Sequence, residues 1–109
     1  MTRLLKEQAA FLHFFPKATK VQQKFLLQHI TKEQLQALTE VIYNLLKGSI
    51  TLTKDEKKTL KRWATELRAI GNPKTGLKRK RLHLKAVVIS KTLTIALPFV
   101  ERVICSEQG

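Results

Sequence analysis

The sequence predicts an all-α protein: a small helical bundle with a basic helix and a basic, then apolar, C-terminal extension. Three observations lead there. Thr19 with Gln22, Thr31 with Gln34 and Thr53 with Glu56 each have the spacing of a capping box, in which a threonine hydroxyl and a glutamine or glutamate side chain satisfy two otherwise orphaned backbone N–H groups. Apolar residues after these boxes recur at helical spacing. Breakers at Pro16, Gly48 and Gly71-Asn72-Pro73 cut the chain into helix-length pieces, and almost nothing reads as a β-sheet. A chain of 109 residues with 43% hydrophobic side chains suits one small domain with a modest core.

The elements follow in order. Leu4, Leu5, Phe11, Leu12 and Phe15 line one face of a first helix that Pro16 ends. Thr19 opens a second helix carrying Val21, Phe25, Leu26 and Ile30. Thr31 opens a third, with Leu35, Leu38, Ile42, Leu45 and Leu46 on its apolar stripe and Gly48 where a left-handed cap is wanted. Thr53 opens a fourth, with Asp55 and Glu56 in the first turn, at the positive end of the helix dipole. Its stripe is Leu60, Trp63, Ala64, Leu67 and Ile70, with Trp63 expected in the core. Residues 77–85 are mostly charge and are expected to become helical against a partner. Residues 86–104 are apolar and β-branched, interrupted by Pro98, and are read as helix although period alone does not separate helix from strand. The organisation expected is therefore an N-terminal helix at 1–18, a bundle at 19–71, a basic clamp at 72–85 and an apolar segment at 86–109.

The net charge is +13, from 21 Lys and Arg against 8 Asp and Glu. Residues 1–53 contribute +4, residues 54–85 contribute +9, and residues 86–109 contribute nothing. A solvated helix face usually mixes signs, whereas this stretch is nearly all positive, which points to an anionic partner. At about 100° per residue, Lys54, Lys57, Lys58, Lys61, Arg62 and Arg68 fall on one flank of the fourth helix, beside its apolar stripe. Lys74, Lys78, Arg79, Lys80, Arg81 and Lys85 extend the charge beyond the Gly71–Gly76 stretch. These twelve are the candidate phosphate contacts. No Asn or Gln lies on the basic flank to read base edges, so backbone contact is expected rather than sequence readout. The Lys78–Arg81 run also matches a nuclear-import pattern.

Other chemistries find little support. His13, His29 and His83 are far apart, without Cys or carboxylate at ligand spacing, so neither a metal nor another cofactor is expected. Cys105 is the lone cysteine, which excludes an internal disulfide, and it has no evident histidine partner for nucleophilic catalysis. There is no glycine-rich phosphate loop and no nucleophile elbow. The reading is non-enzymatic. No apolar run approaches the roughly 18 residues of a membrane-spanning helix, and Glu7, Gln8 and His13 break up any signal-peptide core.

Several blocks taken together resemble a known family. Leu46-Lys47-Gly48-Ser49-Ile50-Thr51-Leu52-Thr53 is followed by Lys57-Lys58, Leu60-Lys61-Arg62, Leu67-Arg68-Ala69, Lys74-Thr75 and Leu77-Lys78-Arg79-Lys80-Arg81. This order is similar to the small basic virion core proteins of adintoviruses and Polinton (Maverick) elements, comparable to the adenoviral protein X, or mu, precursor. Ser49 and Thr51 stand where that family usually has Asn and Pro. The paired glycines that typically follow its basic block are absent, the chain reading Leu84-Lys85-Ala86-Val87-Val88. The resemblance implies a DNA-condensing protein of the virion core and host nucleus, with double-stranded DNA as partner. Capsid proteins and further copies of the chain stay open as partners. Two other readings also stay open: a membrane-active minor capsid component inserting 86–104, and a cellular RNA-binding protein.

Overall fold

Each of the three capping boxes closes in both directions. Thr19, Thr31 and Thr53 hydroxyls accept from the N–H groups of Gln22, Gln34 and Glu56, whose side chains accept in return from the threonine N–H groups. In this computed structural model, which describes residues 2–106, they open α3 (Lys20–Gln28), α4 (Lys32–Lys47) and α5 (Lys54–Lys61). Before them come α1 (Thr2–Glu7), α2 (Ala9–Phe14) and a short 3-10 turn, Phe15–Lys17. After them come α6 (Ala64–Gly71), α7 (Leu77–Leu82) and α8 (Ala86–Ser106). Among the described residues there is no strand, and the protein is an all-α bundle. Residues 1 and 107–109, the outer ends of the expected first and last segments, lie outside the described residues.

Two elements differ from their expected form, and the last keeps its expected helix through a proline. The first helix is two, offset at Gln8. The offset lets Leu5 face α4 and α8, while Phe11, Leu12 and Phe15 pack where α2 and the 3-10 turn meet α8. The fourth helix breaks at Arg62–Trp63, where i to i+3 bonds tighten the backbone and Trp63 becomes the flanking residue of α6. Trp63 is half-buried against the edge of the core rather than within it. The last segment is helical throughout. Pro98 sits inside α8 on its exposed side, so the Thr94 carbonyl that loses its N–H partner also lies on an exposed residue.

α8 is the centre of the molecule. Val88, Ile89, Leu93, Ala96 and Val100 are fully buried, and α8 packs against α1, α2, the 3-10 turn, α3 and α4. The same core takes Leu35, Leu38, Val41 and Ile42 from α4 and Leu67 and Ile70 from α6. The stretches 1–18, 19–71, 72–85 and 86–109 all contribute to this one core, so those boundaries do not separate packed units. A radius of gyration of 12.9 Å agrees with one body of this length. The apolar face on which bilayer insertion would rely is therefore enclosed by the protein itself. Among the described residues, no helix is long and apolar enough to cross a membrane.

Two glycines have defined tasks. Gly48 ends α4 with φ of +89°, the left-handed cap expected there. Gly71 lets α6 approach α4: a Cβ there would lie 2.7 Å from Ile42 Cγ2 and 3.3 Å from the Ile42 backbone carbon.

Candidate nucleic-acid interface

α5 has no buried residue and leans on the rest of the molecule chiefly through α6. Lys54, Lys57, Lys58, Lys61 and Arg62 are all exposed, and none enters an ion pair among the described residues. The break at Trp63 takes Arg68 off the straight continuation of this helix, yet tertiary packing returns it. Lys57, Lys61 and Arg68 surround one cleft of about 230 Å³ over Leu45, Leu52, Leu60 and Leu67. The two acids of α5, Asp55 and Glu56, sit in its first turn, and Glu56 is committed to the cap. What remains on the open side is a row of exposed cations on a short helix.

Beyond α6 the candidate residues divide. Lys74, Lys78 and Arg79 are exposed. The Lys74 backbone N–H donates to Asn72 Oδ1 at 2.9 Å, which turns the chain toward α7 and leaves the Lys74 ammonium in solvent. Lys80 is the correction. It is only 4% exposed, and its Nζ donates to the Thr39 hydroxyl at 2.8 Å. That hydroxyl lies 3.1 Å from the Leu35 carbonyl and 2.9 Å from the Ile70 carbonyl, so it links α7, α4 and α6 at one point. Burial pushes the Lys80 ammonium below the ordinary lysine value, and the neighbouring Glu40 carboxylate works the other way. With 4% exposure and its ammonium held by Thr39, Lys80 ties helices together rather than offering a free cation to a phosphate.

Arg81 and Lys85 are partly committed as well. Arg81 Nη1 donates to the Ile30 carbonyl at 2.9 Å, tying α7 to the turn between α3 and α4. Lys85 pairs with Glu66 at 3.3 Å. The Glu66 carboxyl is held below its usual range by its own backbone N–H in the first turn of α6, with Lys85 adding in the same direction against a desolvation cost. The expected basic clamp is thus a helix already docked on α6, not a segment that waits for a partner.

A signal for Lys80 exists in the sequence. Leu77 and Lys80 stand three apart in α7 with Leu84 at i+7 beyond its end, an apolar spacing that places Lys80 inward, while Leu82 is 78% exposed. Charge density masked this period. Among the described residues no three His, Cys, Asp or Glu side chains gather as a metal would need. His13 instead spans α2 and α8, with Nδ1 2.9 Å from the Ala9 carbonyl and Nε2 3.3 Å from a Glu101 oxygen. No protein-family model, curated protein or solved structure matches the chain.

Proposed function

We propose that the protein binds the phosphate backbone of double-stranded DNA without sequence preference and neutralises its charge, in the manner of a small virion core protein that condenses a DNA genome. The observation that carries this reading is α5: four exposed lysines on one helix and Arg62 at its C-cap, none in an ion pair among the described residues, with Arg68 beside them and no base-reading amide among them. Exposed ammonium groups neutralise phosphates wherever the strand passes, and contacts of that kind hold no base information. Lys74, Lys78 and Arg79 add exposed charge in the stretch that follows α6. The blocks that carry the family resemblance frame these helices, from the Gly48 cap that precedes α5 to the run that forms α7. Residence in the virion core and the host nucleus goes with the same proposal.

Anisotropy titration of the whole chain against two unrelated duplexes of equal length tests it. Equal affinities, both reduced by Lys57→Ala, Lys61→Ala and Arg68→Ala together, support the reading. A preference of a thousandfold for one duplex contradicts it, and a strong preference for single-stranded RNA moves the protein to the RNA-binding class.

A further inference from the structure

The outer face of α3 lies apart from the cleft between α5 and Arg68 on which the proposed polyanion binding rests. Val21 is 79% exposed and Phe25, one turn on, is 60% exposed, while Gln23 between them is buried. Gln23 donates from Nε2 to the Phe15 carbonyl at 2.9 Å and to the Ser90 hydroxyl at 3.4 Å. Leu26, Leu27 and Ile30 share its inward face. Rolling α3 to bury Val21 and Phe25 would strip those bonds and expose those leucines, so the fold itself cannot cover the outer pair. Opposite Val21 the first turn of α8 presents Val87, 56% exposed, while Phe25 lies outside the groove that the two valines border. The groove between holds about 580 Å³, and every charged residue along it is a lysine: Lys20, Lys24 and Lys91.

We propose that this groove binds an acidic amphipathic helix of a partner protein, with apolar side chains seated between Val21 and Val87 and carboxylates reaching Lys20, Lys24 and Lys91. Charge complementarity selects this occupant. A second copy would bring three lysines against three lysines on chains that each carry +13. A duplex backbone gains nothing from the valines. A flat bilayer would rest on the rim of a concave groove without filling it. An amphipathic helix satisfies both the floor and the rim. The site shares no residue with the α5 cleft, so it stands whether or not that surface binds DNA.

The test uses the full chain and a labelled peptide of about 16 residues with Leu at i, i+3, i+4 and i+7 and Glu on the remaining faces. A peptide of the same composition, reordered so that its leucines share no face, controls for charge. At physiological salt the amphipathic peptide is expected to bind, the reordered one to bind at least about tenfold more weakly, and Val21→Gln with Val87→Gln to weaken the first about tenfold. Both valines are exposed, and an unchanged circular dichroism spectrum and thermal midpoint check that the variant folds. Duplex DNA affinity is expected to stay as in the parent. Equal binding of the two peptides, or no effect of the valine substitutions, overturns the proposal by reducing the attraction to general charge. Loss of binding to anionic vesicles in the same variant, with peptide binding intact, overturns it in favour of a membrane surface.

Discussion

Lys80 and Gly71 show how far a single position can depart from what its neighbours suggest. Lys80 sits in a run of four cations, but its place on the inward stripe of α7 decides its role, and Thr39 supplies the acceptor that burial requires. Its depressed folded-state value sets the sign of a pH effect. Between that value and about 10.4, the unfolded chain holds a proton that the folded chain has released, so stability rises with pH across that window. Lys80→Met, which keeps the length and removes the charge, is expected to abolish that rise in urea unfolding measured at neutral and alkaline pH. At neutral pH it should leave stability equal or higher, since a buried ammonium is often no better than an apolar side chain of its shape. Gly71→Ala is expected to cost about 1–3 kcal/mol in the same assay, because the new methyl meets the Ile42 side chain and backbone together.

At the scale of elements, α8 turns from an accessory into the support of α1, α2, the 3-10 turn, α3 and α4. Truncation before Ala86 is expected to abolish cooperative unfolding by circular dichroism, and Leu93→Ala alone to cost about 2–5 kcal/mol, as is usual for a buried leucine. The caps were legible in the sequence because a capping box is local: Thr19, Thr31 and Thr53 need only a partner three residues on. The long α4 stripe was legible for a related reason, since sixteen residues give a periodic signal room to repeat. The nine residues of α3 do not. On its helical wheel Val21 and Phe25 fall within about 40° of each other, while Gln23, Leu26, Leu27 and Ile30 cluster about 140–240° away. Two stripes compete there, and only the tertiary partners Phe15 and Ser90 choose between them. The break at Trp63 also has a tertiary setting: α6 reaches α4 along Gly71 and Thr39, a direction different from that of a straight extension of α5. The α5 part of the candidate interface was readable as a flank of charge, whereas the division of the 77–85 run needed the docking of α7.

Over the whole molecule, the charge falls into groups with different duties. Lys80 belongs to the interior, Arg81 and Lys85 tie helices together, and Lys20, Lys24 and Lys91 border the α3–α8 groove. Of the twelve candidates, nine remain exposed and uncommitted: Lys54, Lys57, Lys58, Lys61, Arg62, Arg68, Lys74, Lys78 and Arg79. With about half of these on phosphates at once, log K for a duplex should fall against log salt with a slope of about −4, at about −0.9 per contact. Measuring that slope for the parent, for the Lys57→Ala, Lys61→Ala, Arg68→Ala triple variant and for Lys80→Met is the most direct test. The triple variant should lose up to about 3 units of slope while staying folded, and Lys80→Met should keep the parent's slope. A parent slope near zero, a triple variant as steep as the parent, or a marked flattening in Lys80→Met would contradict the assignment of DNA binding to the α5 face.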